Sequence, residues 1–342
     1  MTSRDLERVA RALVAKGKGF LAADETVATL TRRFDALGIP STEDRRRTYR
    51  EMLFTTPGTA EFISGAIMYD ETIRQKSSSG TPLAEVLSVH GIVPGIKVDT
   101  GTKPLAGSAN ESVTEGLDGL RDRLSEYRAM GARFAKWRAV IRVTETLPSS
   151  ACVAANAHAL ARYAALCQEQ QLVPIVEPEV LMDGAHTIER CEHVASFVLH
   201  AVFRALFEQA VAPEAMLLKP SMVIAGKECP RQASINEVAT ATLRLLRRHV
   251  PVAVPGIVFL SGGQSARVAT AHLNAINQLP GPKPWKISFS YGRALQDPAL
   301  EAWHGRDENL MAGQRALHRR ASFNGAAAAG KYTDAMEAVS PG

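Results

Sequence analysis

Two stretches, Pro174-Ile-Val-Glu-Pro-Glu179 and Leu217-Leu-Lys-Pro220, decide how this chain is interpreted. Each is an apolar run that ends on charged residues, and Lys219 in the second stretch is the most informative single residue. An apolar strand end buries an ammonium group unless the strand opens into a cleft. Burial lowers the pKa of a lysine and frees its amine to attack a carbonyl carbon. This pattern, with Glu177 and Lys136 at the ends of similar runs, predicts an enzyme that forms a Schiff base.

Strand-like runs of this kind recur along the whole chain. Apolar residues at helical spacing lie between several of them, as in Glu192–Ala210, Asn236–His249 and Ser265–Gln278. Regular alternation of strand and helix is typical of a (β/α)8 TIM barrel. A doubly wound open sheet is the competing fold, but it would carry a Gly-x-Gly-x-x-Gly fingerprint, which the sequence lacks. The eight predicted strands are Gly19–Asp24, Phe62–Met68, Ile92–Val98, Phe134–Val140, Val173–Pro178, Ala215–Pro220, Ile257–Gly262 and Lys286–Tyr291.

Polar residues stand at the carboxyl ends of most of the predicted strands. A barrel places its chemistry at those ends, so these residues are expected to meet in one site. Chance explains one or two such placements, but not a series that runs along the chain. The residues concerned are Asp24, Lys97, Asp99, Lys136, Arg138, Glu177, Lys219, Ser261, Gly292 and Arg293.

Composition limits the class of protein. The 342 residues, 46% of them hydrophobic and 22% charged, suit a soluble globular chain. We expect one barrel domain over residues 1–342 with a flexible C-terminal tail from about residue 330. The net charge of +5 fits an anionic small molecule without requiring one. No apolar run approaches the ~20 residues that span a bilayer, so we expect no membrane partner.

Two features of the sequence bear on where in the cell the protein is found: the amino terminus and the cysteines. The first residues carry charges where a signal peptide needs an apolar core, and their apolar residues recur at helical spacing, which predicts an amphipathic helix. Cys152, Cys167, Cys191 and Cys229 are widely separated and are expected to be reduced. These features predict a cytoplasmic protein. The basic stretch Arg45–Arg47 is predicted to be a solvated helix face, so no nucleic-acid partner is expected.

A series of motifs resembles class I fructose-1,6-bisphosphate aldolase, in order and in spacing. The resemblance runs from the first predicted strand to Gly330-Lys-Tyr-Thr333. It implies a (β/α)8 barrel that reversibly cleaves fructose 1,6-bisphosphate to dihydroxyacetone phosphate and glyceraldehyde 3-phosphate. The motifs are Leu21-Ala-Ala-Asp-Glu25, Gly95-Ile-Lys-Val-Asp99, Phe134-Ala-Lys-Trp-Arg138, Val176-Glu-Pro-Glu179, Leu217-Leu-Lys-Pro220, Leu260-Ser-Gly-Gly-Gln264 and Phe289-Ser-Tyr-Gly-Arg-Ala294.

The resemblance also implies a role for each catalytic residue. Lys219 matches the lysine that forms the imine, and Glu177 matches the residue that moves protons while the imine forms. Lys136 would hold positive charge beside both. Asp24 matches the residue next to the C4 hydroxyl, and Glu179 a carboxylate that orients its neighbours. The only cofactor-like group implied is the covalent imine on Lys219, with no metal ion.

Two phosphate anchors follow from the resemblance and from the residues themselves. Backbone N–H groups that precede a helix form an anion site, and an arginine adds a bidentate partner. Ser261, Gly262, Gly263, Gly292 and Arg293 are therefore expected to hold the C1 phosphate. Threonines and Arg32 replace the serines and lysine of the animal enzymes at the other anchor. The residues expected there are Lys97, Arg138, Thr26, Thr29 and either Arg32 or Arg33.

Alternatives remain open at this point. Taken alone, Lys219 fits a lysine whose stem is buried and whose head reaches water, and Glu177 with Lys136 fits a structural ion pair. A transaldolase-like enzyme would need only one phosphate anchor. A non-catalytic phosphosugar-binding or scaffolding protein would bind the sugar without forming an imine. Preference among fructose 1,6-bisphosphate, fructose 1-phosphate and sedoheptulose 1,7-bisphosphate is also open.

Two further expectations come from the family. The family resemblance suggests a homo-oligomer, specifically a tetramer. The animal enzymes end in a tyrosine that helps to move the C3 proton, whereas the sequence ends at Val339-Ser-Pro-Gly342, so we expect that proton to move by another route or more slowly.

Overall fold

The centre of the protein is a closed barrel of parallel β-strands. A computed structural model describes residues 3–338, and all bounds below refer to that part of the chain. Its strands are β1 (Gly19–Ala23), β2 (Ile63–Met68), β3 (Val93–Lys97), β4 (Gly101–Pro104), β5 (Ser112–Glu115), β6 (Phe134–Ile141), β7 (Val173–Val180), β8 (Leu217–Leu218), β9 (Gly256–Phe259) and β10 (Lys286–Tyr291).

Helices surround this barrel. They are α1 (Ser3–Leu13), α2 (Val27–Asp35), α3 (Glu43–Phe54), α4 (Asp70–Arg74), α5 (Leu83–Val89), α6 (Leu120–Ala129), α7 (Ser150–Glu169), α8 (Ile188–Glu208), α9 (Ile235–His249), α10 (Ala266–Gln278), α11 (Arg293–Trp303), α12 (Leu310–Ala328) and α13 (Ala335–Ala338). Short 3-10 turns cover Thr59–Glu61, Pro213–Ala215 and Asp307–Asn309.

The strand order confirms the predicted (β/α)8 barrel. Eight strands close in the order β1-β10-β9-β8-β7-β6-β3-β2, and each neighbouring pair is parallel. Strand β8 is much shorter than the predicted Ala215–Pro220, because Ala215 belongs to a 3-10 turn and Pro220 has no N–H to donate. The antiparallel hairpin β4–β5 was not predicted; it fills the connection between β3 and β6.

The amino-terminal end of the barrel is closed by α1. Leu6, Ala10, Leu13 and Val14 repeat at helical spacing and pack with barrel residues in one buried cluster. Inside the barrel, Phe20 and Phe134 meet edge to face, with ring centroids 5.3 Å apart. This closure confirms the amphipathic helix predicted at the amino terminus and leaves the carboxyl end of the barrel free to hold a site.

One glycine is required by this close packing. A methyl group added at Gly95 on β3 would lie only 2.1 Å from Cζ of Phe134. Any other residue at this position would displace the aromatic ring or separate β3 from β6. The same strand ends on Lys97, so the packing inside the barrel also fixes where that charged residue emerges.

Helices α9 and α10 begin within one residue of their predicted starts, whereas α8 begins at Ile188, four residues before the predicted Glu192. Ser234 and Glu237 form a reciprocal capping box at the start of α9, and Ser265 caps α10 through the backbone N–H of Val268. The face predicted to be solvated in α3 is only partly so, since Arg46 is buried against Glu71. That part of the prediction was wrong because tertiary pairing provided the charge with a partner.

The C-terminal segment packs on α10 and α12 as far as it is described. The hydroxyl of the buried Tyr332 donates to Glu337 at 2.9 Å, and Arg320 pairs with the same carboxylate at 2.5 Å. Residues 339–342, which include the predicted end of the tail, lie outside the described residues. The prediction of one domain with a flexible tail stays a prediction. In the part of the chain from 3 to 338, no helix has the length and apolarity that a membrane crossing needs.

Candidate active site

A cavity of about 660 Å³ opens at the carboxyl ends of the barrel strands. It brings together every predicted site residue except Gly263, which lies beside it in the loop after β9. Asp99 and Ser290 also line it. The predicted residues that line the cavity are Asp24, Thr26, Thr29, Arg32, Arg33, Lys97, Lys136, Arg138, Glu177, Glu179, Lys219, Ser261, Gly262, Gly292 and Arg293.

Strand geometry explains why charges from different strands meet here. Side chains two residues apart on a strand share a face, so Lys136 and Arg138 on β6 point the same way, as do Glu177 and Glu179 on β7. The two strands are paired with Arg138 opposite Glu177. Lys219 follows β8 directly, and its backbone N–H donates to Val176 of β7 at 2.8 Å.

Four of these side chains form one chain of ionic contacts. Nζ of Lys219 lies 3.2 Å from Oε1 of Glu177, and Nζ of Lys136 lies 3.3 Å from Oε2 of the same carboxylate. Nζ of Lys136 also lies 2.6 Å from Oδ2 of Asp24. Lys136, Glu177 and Lys219 are each at most 4% exposed. Glu177 therefore lies between two buried lysine nitrogens, with one carboxylate oxygen facing each.

The charges on Lys136 and Asp24 stabilise each other. Burial disfavours the ammonium of Lys136, but Asp24, Glu177 and Asp99 outweigh burial and raise the pKa of Lys136 above its ordinary value. Burial likewise disfavours the carboxylate of Asp24, while Lys136, Lys219 and Lys97 hold the pKa of Asp24 well below its usual range. Both groups are therefore charged across the neutral range of pH.

The other two strand-end cations are also paired. Lys97 contacts Asp99, with 2.7 Å between Nζ and Oδ1. The second oxygen of Asp99 accepts from the backbone N–H of Arg138 at 3.2 Å, which ties β3 to β6. Arg138 itself donates through Nε to Glu179. Glu179 thus contacts Arg138, and its predicted role as a supporting carboxylate stays a prediction.

The residues predicted to bind the C1 phosphate include a glycine turn after β9. Gly262 and Gly263 both have positive φ, 58° and 84°, a region that glycine adopts without strain. The turn lies just before α10, whose N-terminal backbone groups and dipole favour an anion. The carbonyl of the buried Ser261 accepts from the backbone and the side chain of Gln264, both at 3.0 Å.

A buried histidine holds this turn in place. Nδ1 of His272 on α10 lies 2.6 Å from Oε1 of Gln264. Burial lowers the pKa of His272 to about 4, so the ring is neutral near pH 7. Gln264 therefore joins His272 to Ser261 through one continuous set of hydrogen bonds. No local pattern in the sequence marks this contact, because Gln264 and His272 stand eight positions apart, one in the turn and the other in the helix.

Arg32 and Arg33, the two arginines predicted as alternatives for the second phosphate, have different surroundings. Arg33 is held by Glu25 at 2.6 Å and by Asp297 at 2.8 Å, and the pair of carboxylates leaves it little freedom. Arg32 is exposed at the rim of the cavity and donates to the hydroxyl of Thr29 at 3.3 Å. The hydroxyl of Thr26 caps α2 by accepting from the backbone N–H of Thr29.

Comparisons with known proteins agree with this geometry. The family model described as "Fructose-bisphosphate aldolase class-I" matches residues 5–341. A Xanthomonas axonopodis protein named "Probable fructose-bisphosphate aldolase class 1" is 56% identical over 97% of this chain and 99% of that protein. "Fructose-bisphosphate aldolase B" of Gallus gallus is 50% identical over 96% of this chain and 90% of its own length.

A solved structure is similar as well. The fructose-bisphosphate aldolase of Plasmodium falciparum, in complex with TRAP and a small-molecule inhibitor, superposes with a TM-score of 0.95. It is 48% identical to this chain and is matched over 96% of this chain and 95% of that chain. Fold and sequence therefore agree over nearly the full length.

The fold and the buried lysine–carboxylate site define a lyase built on a (β/α)8 barrel. The chain belongs to the class I fructose-bisphosphate aldolase family. The family, fold, enzyme class and cleavage reaction predicted from the sequence are confirmed at this level.

Proposed function

We propose that this chain cleaves fructose 1,6-bisphosphate through an imine on Lys219. The observation that supports this most directly is Glu177, whose carboxylate lies 3.2 Å from Nζ of Lys219 and 3.3 Å from Nζ of Lys136. A nucleophilic lysine needs a base to remove its proton and a way to remain neutral while it attacks. Glu177 takes the proton, and Lys136 holds a positive charge at the other oxygen of the same carboxylate.

The steps follow from these contacts. The amine of Lys219 attacks C2 of the open-chain ketose, and the resulting carbinolamine loses water with protons carried by Glu177. Asp24, charged beside Lys136, takes the proton of the C4 hydroxyl as the C3–C4 bond breaks. The bonding electrons move into the protonated imine and give an enamine, and glyceraldehyde 3-phosphate leaves. Protonation at C3 and hydrolysis of the imine release dihydroxyacetone phosphate and restore Lys219.

Two anchors hold the substrate at either end. Ser261, Gly262, Gly263, Gly292 and Arg293 bind the C1 phosphate, since a glycine turn before α10 and an exposed arginine converge there. Lys97, Arg138, Thr26, Thr29 and Arg32 serve the second phosphate. Arg33 has a structural role at this second anchor and does not bind the phosphate, because its guanidinium already pairs with Glu25 and Asp297.

The remaining assignments extend this proposal. The reaction is metal-independent, the protein acts in the cytoplasm in glycolysis and gluconeogenesis, and it assembles as a homotetramer. Its partner is a bisphosphorylated sugar rather than a nucleic acid or a membrane. Among residues 3–338, no group of three or more His, Cys, Asp or Glu side chains is arranged to hold a metal ion.

A coupled assay tests the proposal. Cleavage of fructose 1,6-bisphosphate is followed through the two triose phosphates, with and without excess EDTA, for the natural chain and for Lys219→Met. We expect full activity in EDTA and none in the variant. If the natural chain binds the sugar without cleaving it, the protein is a phosphosugar-binding protein. Loss of activity in EDTA would contradict the metal-independent mechanism.

A further inference from the structure

A second cation lies beside Arg293 at the glycine turn. A methyl group added at Gly263 would lie 3.2 Å from Nη2 of Arg293 and also 3.2 Å from Nζ of Lys227. The two cations are thus no further apart than the sum of those distances, so one phosphate group can touch both. Gly263 has no side chain, which leaves the space between them open. The local sequence did not identify Lys227 as a candidate site residue. Lys227 lies in the loop after β8, whereas the glycine turn that it faces lies in the loop after β9.

Lys227 is held in a fixed backbone position. It belongs to the loop that follows Lys219, and its backbone N–H donates to Met182 in the loop after β7 at 2.7 Å. The next residue, Glu228, donates to Gly184 at 3.0 Å, and Gly226 donates to His186 at 2.8 Å. Consecutive hydrogen bonds therefore join the two loops and present the side chain of Lys227 to the turn.

The side chain of Lys227 has one weak anionic partner. Nζ lies 3.1 Å from Oδ1 of Asp183, and the two side chains are 46% and 64% exposed. Ion pairs this exposed contribute little, because water and salt screen them. A phosphate dianion beside Arg293 carries more charge than one carboxylate and lies within reach of the same ammonium, so it competes effectively for Lys227.

We propose that Lys227 is a third cationic contact of the C1-phosphate anchor, and that Asp183 competes with the phosphate for it. The inference rests on the proposed function, since it deepens the binding of the same substrate. Lys227 adds affinity for the phosphate and takes no part in imine formation, because Lys219, Glu177 and Lys136 lie inside the barrel and Lys227 lies at its rim. Asp183 lowers that affinity and so eases product release.

Steady-state kinetics of four single variants and one double variant test the proposal. Lys227→Met is expected to raise KM about 5- to 20-fold, as expected for loss of a partly exposed charge-assisted contact, with kcat within twofold. Lys227→Arg is expected to restore most of the affinity. Asp183→Asn is expected to lower KM about two- to threefold, and this gain should vanish in the Lys227→Met background. Arg293→Ala is the positive control, with a larger rise in KM.

The choice of substrate assigns the effect to one anchor. Fructose 1-phosphate and fructose 1,6-bisphosphate share the C1 phosphate, so Lys227→Met should raise KM for both by the same factor. A rise for the bisphosphate alone would place Lys227 at the other anchor and overturn the proposal, and so would an unchanged KM for both. An Asp183→Asn gain that persists without Lys227 would overturn the role of Asp183.

Trapping separates this inference from the proposed function. Borohydride added with dihydroxyacetone phosphate should still fix an adduct on Lys219 in every Lys227 and Asp183 variant. If no variant and not even the natural chain forms the adduct, the proposed function fails. If the adduct forms normally and KM does not change, only the role of Lys227 fails.

Discussion

Glu177 lies 3.2 Å from the nitrogen of Lys219, while its other oxygen faces Lys136 at 3.3 Å. One buried carboxylate thus contacts both the proposed nucleophile and the cation of Lys136. The three residues come from three adjacent strands of the barrel: Lys136 lies on β6, Glu177 lies on β7, and Lys219 directly follows β8. Backbone pairing of these strands brings the side chains together. In the proposed mechanism, this one residue carries the protons during imine formation and hydrolysis.

Replacing Glu177 tests that role. We expect Glu177→Gln to lower kcat by about 10²- to 10⁴-fold, the usual size of general acid–base catalysis, because the amide cannot take a proton from Lys219. Glu179→Gln is the matched control on the same strand; it removes the negative charge beside Arg138 and leaves the contacts of Glu177 with both lysines in place, so kcat should fall far less. Equal effects of the two variants on kcat would show that Glu177 has no special catalytic part.

The two arginines of α2 should behave differently. Arg32→Ala is expected to raise KM for fructose 1,6-bisphosphate but not for fructose 1-phosphate, since the exposed guanidinium is free to reach the second phosphate. Arg33→Ala is expected to destabilise the fold by about 1–3 kcal/mol, because Glu25 and Asp297 lose their shared partner. Melting temperature and KM measured on both variants decide this. A reversed pattern would make Arg33 the phosphate ligand.

His272 should make stability depend on pH. An unfolded histidine binds a proton below about pH 6.5, whereas burial lowers the pKa of His272 to about 4. Between these values the unfolded chain binds more protons, so the free energy of unfolding falls as the pH falls, by up to about 3 kcal/mol. Urea unfolding from pH 7 to pH 4 should show a smaller fall for His272→Asn. The same fall in both proteins would contradict this assignment.

The described C-terminal segment contains two ion pairs that differ in burial and can be compared directly. Glu337 contacts the buried Arg320, which is 7% exposed, whereas Asp334 contacts the exposed Arg267 at 3.0 Å. Glu337→Ala is expected to lower the free energy of unfolding by about 1–3 kcal/mol, because it leaves a buried guanidinium without its carboxylate. Asp334→Ala should change it little. Chemical denaturation measures both, and equal effects would show that burial of Arg320 does not matter here.

The alternation of strand-like and helical runs predicted the barrel, and the polar residues at the strand ends predicted most of the residues that line the cavity. Two-residue alternation puts Glu177 and Glu179 on one face, and the carboxyl ends of parallel strands must meet at one end of a barrel. Those two rules suffice to bring Lys136, Glu177 and Lys219 together. Both rules depend only on the position of a residue in its strand, so they can be applied without knowing how the side chains pack.

Contacts made by loops and helices could not be predicted in the same way. Arg33 pairs with Asp297, which is far along the chain, and Lys227 faces Gly263 from another loop. Such partners depend on how loops fold back over the barrel, and single-residue chemistry does not encode that. The β4–β5 hairpin escaped prediction for a related reason, since its short strands pair with each other and not with the barrel.

Chemical trapping of the imine tests the central claim most directly. Borohydride is added to the protein together with dihydroxyacetone phosphate, and the modified peptide is mapped by mass spectrometry. The mechanism predicts irreversible loss of activity and one reduced adduct on Lys219, within residues Met216–Lys227, with no adduct in Lys219→Met. An adduct on Lys136 instead, or full activity after borohydride treatment, would contradict the assignment of Lys219 as the imine-forming residue.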